Sequence, residues 1–232
     1  MNFLAHYHLQ GENKNRYFNY GLLLPDLIGM HDRKCKVQPE DLDDIIQSEK
    51  GQLKDVALGF KAHLEADAYF HNAPFFEEGT AIITRELKKA LPENHPFRLF
   101  FLSHIALELL LDKYIIHHHE AVIPEFYKEL DLIEPEMVRT LFQKLGLKEV
   151  STFWAFQQKF RQKEFAYHYQ KMDDLVKIIL QIHRRVGLPT GKDAAEKALV
   201  AGLKNAEKKI NFNNFVHLQS FTTVLANSRK NE

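Results

Sequence analysis

Histidine and acidic side chains repeat at intervals of four residues in two parts of this sequence. They are His63, Asp67 and His71 in the first part, and His104, Glu108 and Asp112 in the second. Because residues four apart lie on the same side of an α-helix, each set predicts one slowly turning polar stripe. Imidazole nitrogens and carboxylate oxygens on such a stripe can bind a divalent metal ion. The alternative for either stripe alone is an ordinary exposed helix surface.

The second stripe favours the metal interpretation because its neighbours in the sequence are strongly apolar. Phe100, Leu107 and Leu111 lie among its polar residues. An ionised carboxylate buried in such surroundings is costly unless it is paired, neutralised or bound to a metal. Helical bundles build metal sites in their cores from matching polar stripes on facing helices. The two stripes together therefore predict that these side chains meet around an ion.

Further candidate ligands occur nearer the N-terminus. His6 and His8 are separated by one residue, so in an extended segment both side chains would project to the same side. Asp26 is a single carboxylate in an apolar run and follows Pro25. A helix cap or a turn would explain Asp26 as well as a metal site does.

Three consecutive histidines, His117, His118 and His119, follow the second stripe. Successive helical residues point about 100° apart, so the three side chains cannot all face one ion. His119 continues the stripe and is the candidate among them. We expect His117 and His118 to be exposed at the end of a helix, where the macrodipole favours positive charge.

Helical periodicity dominates the chain, whereas alternating strand patterns and hairpin turns are scarce. The periodic stretches and their Pro and Gly stops predict helices at 52–72, 75–91, 96–119, 124–130, 135–145, 150–164, 167–186 and 192–209. A final amphipathic segment follows, and residues 31–44 are expected to form a surface loop. We therefore predict an all-α fold, a single-domain helical bundle over residues 1–232 with a metal site between helices.

The composition restricts the classes of partner. Lys plus Arg and Asp plus Glu number 31 each, so the formal net charge is zero and no overall field attracts nucleic acid or a membrane surface. Cys35 is the only cysteine, which excludes an internal disulfide and is typical of a reducing compartment. The first residues lack a secretory signal, and no apolar run reaches the ~20 residues that span a bilayer. We expect a cytoplasmic protein without a nucleic-acid or membrane partner.

Two N-terminal segments resemble the bacterial acyl carrier protein phosphodiesterases, a family similar to the His-Asp metal phosphohydrolases. Residues 1–9 read MNFLAHYHL, almost as in that family. Residues 21–26 read GLLLPD and match its Gly-x-Leu-Leu-x-Asp segment without a gap, with Asp26 at the family's aspartate. The resemblance covers residues 1–120.

The family's next motif reads His-Arg-x-x-Asp-x-Phe-Thr-Asp-x-His-Pro. His63, Asp67 and Pro74 fit this motif, while Leu64 stands in place of the arginine and His71 in place of the second aspartate. His71 keeps a group that can bind metal, whereas Leu64 removes a guanidinium that would contact phosphate.

A later family motif has two aspartates four residues apart, the second of which is followed by a histidine. Glu108 and Asp112 occupy the two acidic positions, and Lys113 replaces the histidine. The exchange of aspartate for Glu108 conserves the carboxylate. This match is therefore partial but compatible with metal binding.

The resemblance implies a metal-dependent phosphodiesterase that hydrolyses the bond between phosphopantetheine and the serine of acyl carrier protein, in the context of fatty acid biosynthesis. Manganese is the expected ion, with iron or zinc as alternatives. The implied metal ligands are His6, His8, Asp26, His63, Asp67, Glu108 and Asp112. The side chains expected to act in catalysis are Asp67, His71 and His104, with either histidine protonating the leaving oxygen.

Two other functions stay open at this point. The same fold and ions could hydrolyse a different phosphoester, such as a lipid or a nucleotide. A relative without catalytic activity could instead bind a carrier protein or another helical partner. The departures at Leu64, His71 and Lys113 keep both alternatives in view.

Overall fold

The computed structural model describes residues 1–11, 15–131, 133–148, 150–189 and 193–215. Every regular element in these ranges is helical, as the sequence predicts. The α-helices are α1 (Phe3–Gln10), α2 (Arg16–His31), α3 (Asp43–Ser48), α4 (Gln52–His71), α5 (Pro74–Ala90), α6 (Leu99–His118), α7 (Val122–Asp131), α8 (Pro135–Lys144), α9 (Val150–Lys163), α10 (Met172–Arg185) and α11 (Asp193–Glu207). Short 3-10 helices cover Pro39–Leu42 and Phe165–Gln170. None of the helices in these ranges is both long and apolar enough to cross a membrane.

The N-terminal part of the chain differs most from the sequence-based expectation. The extended conformation expected around His6 and His8 is wrong, because both residues lie on α1. Asp26 is neither a cap nor a turn residue, since α2 continues through Pro25 to His31. The loop expected at 31–44 is only partly present, because Pro39–Leu42 is a 3-10 helix in which Gln38 and Asp41 cap each other.

Two predicted helices have different boundaries in the structure. The helix expected to open at Pro96 begins at Leu99, because the backbone N–H of Phe97 donates to the His95 side chain and the chain turns there first. The stretch expected at 167–186 is divided, since Lys171 adopts an extended backbone between a 3-10 helix and α10. Residues 216–232 of the expected C-terminal amphipathic segment lie outside the described residues.

The helices α2 and α4 approach each other closely at two glycines. A Cβ atom on Gly59 would lie 2.0 Å from the carbonyl oxygen of Phe18, and one on Gly21 would lie 2.2 Å from that of Val56. Only glycine permits this approach of the two backbones. The contact positions the next turns of both helices, so that Asp26 of α2 faces His63 of α4.

The helix α6 occupies the centre of the fold and packs against α1, α5, α7 and α10. Its apolar side chains are buried on several sides, including Leu102, Leu107, Leu110 and Leu111. The α11 helix packs on the outer side of α5. The polar side chains of α6 therefore have to find partners on its neighbours inside the bundle.

Replacing Gly59 by alanine should destabilise the fold by about 1–3 kcal/mol or more, because the added methyl group meets the α2 backbone. Gly29 of α2 is the matched control, since a Cβ there meets nothing within 4 Å. Gly29→Ala should leave the free energy of unfolding unchanged or raise it by up to about 1 kcal/mol, through better helix propensity. Urea unfolding measures both changes, and equal stability of the two variants would contradict the close contact.

Glu86 should make the free energy of unfolding depend on pH in the acidic range. Its buried carboxylate accepts from Lys209 at 2.9 Å and from Lys89 at 3.0 Å, and these bonds lower the pKa of Glu86 to about 2. Because this pKa is lower in the folded chain, the contribution is present above the ordinary value of 4.5 and disappears as the pH falls towards 2. Glu86→Gln should lower the Tm at pH 7, and the difference from wild type should shrink as the pH is lowered from 4.5.

Glu78→Gln, at an exposed position of the same helix, is the control for loss of a carboxylate. Its Tm should follow that of wild type at every pH. A Glu86→Gln deficit that stays constant between pH 7 and pH 3 would sink the proposed linkage.

Candidate metal centre

The position of α1 depends on Asp112 of α6. One oxygen of this buried carboxylate accepts from the backbone N–H of Ala5 at 2.9 Å, and the other accepts from Leu4 at 3.4 Å and from the Asn2 side chain at 2.8 Å. Asp112 thus does the work of an N-cap for α1, where the Asn2 side chain makes no cap bond. Burial raises the pKa of Asp112 to about 7, although these bonds oppose the change. Both oxygens accept hydrogen bonds from the first residues of the chain, so Asp112 anchors α1 and belongs to neither of the two groups of possible metal ligands that the described residues form.

Three helices bring together an inner group of possible metal ligands, which consists of His6, Asp26 and His63. His6 comes from α1, Asp26 from α2 and His63 from α4. One ligand atom of each lies within 4.8 Å of the others. Both imidazole rings are buried and stack with their centroids 3.6 Å apart. Groups far apart in the sequence therefore meet inside the bundle.

Hydrogen bonds fix which ring nitrogens face the inner group. The Nδ1 atom of His63 lies 2.7 Å from the carbonyl oxygen of Leu22 and must donate to it. The Nδ1 atom of His6 lies 3.0 Å from Oε1 of Gln10, whose amide nitrogen donates to the Ala62 carbonyl. Both Nδ1 atoms thus carry the proton when the rings are neutral, and both Nε2 atoms present lone pairs.

Burial keeps the imidazole rings of His6 and His63 neutral near neutral pH. Burial lowers the pKa of His6 well below its ordinary value and lowers that of His63 to about 4. The carboxyl group of Asp26 responds in the opposite direction, since burial raises its pKa well above the usual range. A neutral imidazole is the form that binds a metal ion.

Two atoms of the inner group are buried and have no hydrogen-bond partner within the described residues. They are Nε2 of His6 and Oδ2 of Asp26. Buried polar atoms are rarely left without a partner, and each such case calls for an explanation. The lone pairs of an imidazole nitrogen and of an ionised carboxylate oxygen can share a cation, and a cation there would also hold the buried Asp26 in its ionised form. The residues of the inner group therefore fit a divalent metal ion.

An outer group of His71, His104 and Glu108 lies between α4 and α6. The Nε2 atoms of the two histidines are 3.0 Å apart, and Oε1 of Glu108 lies 3.2 Å from the first and 3.1 Å from the second. These side chains are partly exposed. Hydrogen bonds to Asp67 and Glu108 raise the pKa of His71 to about 9. Because its side chains are partly exposed, the outer group is more accessible to solvent than the inner group.

Asp67 lies between the two groups. Its Oδ1 atom is 3.9 Å from Nε2 of His6, and its Oδ2 atom is 3.2 Å from Nδ1 of His71. The amino group of Met1 lies 2.5 Å from Asp67 Oδ1 and 3.2 Å from Glu108 Oε1. Burial opposes ionisation of Asp67 and Glu108, but this ammonium and the histidines outweigh it and hold both pKa values below their usual range. The carboxylates of Asp67 and Glu108 therefore need a positive charge between them, and the Met1 ammonium supplies one.

His8 and His119 lie together and apart from both groups. Their rings contact each other with centroids 4.0 Å apart. His8 follows His6 by two residues, so on a helix the two side chains point about 160° apart, on nearly opposite sides. His117 and His118 are exposed, as the sequence predicts. Lys113, at the family's histidine position, forms an ion pair with Glu207 of α11.

A cavity of about 420 Å³ reaches both ligand groups, because Asp26 and Glu108 line it. Its other walls include the aromatic rings of Phe3, Phe160 and Phe165. Arg33 and Arg185 also line the cavity and are exposed to solvent. Sequence reasoning did not identify this cavity, since its residues come from six helical elements and follow no single periodicity.

Comparison with known proteins gives no match for this chain. No protein-family model matches it, and neither does any curated protein or solved structure. The class that the fold and site define is an all-α protein with two adjoining groups of potential metal ligands. The resemblance to acyl carrier protein phosphodiesterases remains an expectation that rests on the sequence motifs.

The Gln10 side chain should control the metal affinity of the inner group, because it holds the His6 ring through the nitrogen that faces away from the possible ligands. Gln10→Met removes the acceptor that fixes the His6 ring, and loss of such a partner typically weakens metal binding about 10–100-fold. Equilibrium dialysis of the metal-depleted protein against Mn²⁺ measures the change.

Gln157→Met is the matched control for that experiment. Gln157 is also a buried glutamine, it accepts a hydrogen bond from Tyr20, and it belongs to neither ligand group. This variant should bind Mn²⁺ with wild-type affinity, and thermal unfolding checks that both variants fold. Unchanged affinity in Gln10→Met would contradict the role given to the His6 tautomer.

Proposed function

We propose that this protein is a metal-dependent phosphodiesterase. The observation that carries the proposal is the inner group, in which two neutral imidazoles present lone pairs beside a carboxylate without a donor. Asp67 adjoins this group. Asp26, which belongs to the group, lines the cavity, and the cavity connects the group to solvent. Buried ligands of this kind next to an open cavity are typical of catalytic metal sites.

An ion in the inner group would lower the pKa of a bound water and withdraw charge from phosphoryl oxygens. His6, Asp26 and His63 would hold it, and manganese is the ion we propose, with iron or zinc as alternatives. Gln10 and the Leu22 carbonyl keep both imidazoles in the ligating tautomer. Their burial prevents the competing protonation near neutral pH.

The reaction is hydrolysis at phosphorus. The water oxygen bonds to phosphorus, the bond to the leaving oxygen breaks with its electron pair, and a proton from the water ends on that oxygen. Asp67 stays ionised near neutral pH and can orient the attacking water as a hydrogen-bond acceptor. The outer group lies on the more exposed side, where the charge that develops on the leaving oxygen must be neutralised.

The substrate we propose is the phosphopantetheine-bearing form of acyl carrier protein, hydrolysed in the cytoplasm. Support comes from the motifs in residues 1–120 and from the shape and charge of the cavity. Its apolar walls suit a long unbranched arm, and Arg33 and Arg185 offer positive charge to a phosphate or to an acidic carrier. Leu64 stands at the family's arginine position and lines a different cavity beside Cys35. Arg33 and Arg185 would therefore provide the phosphate contact that the family's arginine is expected to make.

Purified protein supplied with Mn²⁺ should release phosphopantetheine from the holo-carrier, measured as the loss of mass of the carrier. Asp67→Asn should lower kcat/KM at least about 100-fold, since it removes the carboxylate next to the inner group. Asp55→Asn, three turns earlier on the same helix, should retain full activity. Thermal unfolding checks that both variants are folded.

Two results would replace this proposal with an alternative. Hydrolysis of other phosphodiesters, but not of the holo-carrier, would indicate a hydrolase of a different phosphoester. Carrier binding without any bound metal or hydrolysis would indicate a protein that only binds carriers.

A further inference from the structure

We infer that His71, His104 and Glu108 form a second metal site, separate from the inner group. The polar stripes in the sequence predict that these side chains meet around an ion, and the family resemblance implies Glu108 as a ligand, with His71 or His104 protonating the leaving oxygen. The geometry of the outer group alone makes it suited to bind an ion, and only the catalytic role of that ion rests on the proposed function.

The three ligand atoms have the spacing of one face of an octahedron. The edges of their triangle are 3.0, 3.1 and 3.2 Å. An ion about 2.1–2.2 Å from each atom has neighbouring octahedral ligands about 3.0–3.1 Å apart, whereas tetrahedral ligands would lie about 3.5 Å apart. Two imidazoles and one carboxylate on one face leave three positions open, an arrangement typical of Mn²⁺ or Fe²⁺.

The hydrogen bond of His71 to Asp67 orients the ring for ligation. Its Nδ1 atom lies 3.2 Å from Oδ2 of Asp67 and donates to that carboxylate. In the neutral ring the Nε2 atom then carries a lone pair, and it faces the Nε2 atom of His104. A carboxylate that accepts from the far nitrogen of a histidine is the usual support of a metal ligand. A cation at this place would replace the proton that Nε2 of His71 otherwise shares with Glu108 and His104.

Aromatic packing holds the two rings in place. The ring of Phe76 lies edge-on to both His71 and His104, with centroids 4.9 Å away in each case. Phe70 packs against the other side of His71. Both histidines are thus oriented before any ion binds, which reduces the ordering that binding would otherwise require.

The two sites would share Asp67 as a link. This carboxylate reaches towards His6 of the inner group with one oxygen and holds His71 with the other. Under the proposed function, an ion held by the outer group would offset the charge that develops on the leaving oxygen, and an ion held by the inner group would lower the pKa of a bound water. His71 and His104 then act as ligands and not as proton donors.

Metal stoichiometry tests the inference. Metal-depleted full-length protein is dialysed against Mn²⁺, and bound metal is counted by elemental analysis. Wild type should bind two ions per chain, and His104→Ala should bind one. His118→Ala, an exposed histidine on the same helix, should still bind two. Glu108→Gln provides a second outer-group variant of nearly unchanged shape, and thermal unfolding confirms that each protein is folded.

One ion in wild type that is also retained in His104→Ala would overturn the second site. Two ions in both proteins would overturn it as well, since the second ion would then lie elsewhere. Two ions in wild type and one in His104→Ala support it even if no phosphodiester is hydrolysed. Full hydrolysis of the holo-carrier with a single bound ion would leave the proposed function standing and refute the second site alone.

Discussion

The structure is organised around the need to balance four carboxyl groups that converge inside an apolar bundle. Asp26, Asp67, Glu108 and Asp112 come from three helices, and burial of unpaired charge is costly. The four groups are compensated in three different ways. Asp112 accepts from the backbone of α1, whereas Asp67 and Glu108 contact the ammonium of Met1 and the outer histidines. Asp26 keeps one buried oxygen without a donor among the described residues, and this residual need makes the inner group able to hold a metal ion.

The same balance explains why the N-terminal segment is helical. An isolated helix of eight residues is far below the about 12–15 residues at which helices become even marginal in water. Asp112 supplies the missing stability, because its negative charge meets both the free N–H groups and the positive end of the α1 dipole. The segment around His6 and His8 looks extended when only local spacing is considered, since the cap lies more than 100 residues away. His6 therefore reaches the site because of a tertiary contact.

Much of the architecture followed from the sequence, while the division of the site into two groups did not. Periodicity located α4 and α6, and the repeat of four residues correctly indicated that their polar side chains meet. Each step of four residues drifts about 40° around a helix, so His63 and His71 differ by about 80° and lie about 12 Å apart along the axis. One faces α1 and α2, and the other faces α6. Backbone partners such as the Leu22 carbonyl, and Gln10 in a segment that was expected to be extended, leave no pattern in the sequence.

Metal binding at the inner group would be coupled to folding. The orphaned nitrogen of His6 and oxygen of Asp26 cost stability in the folded chain, whereas both atoms are hydrated in the unfolded chain. An ion that binds only the folded arrangement recovers this cost and stabilises the fold by mass action. The glycine contact between α2 and α4 and the capped position of α1 hold His6, Asp26 and His63 close together without an ion. Rigid backbone contacts thus keep these unpaired polar groups close together in the folded chain. Loosely packed helices would allow the groups to separate.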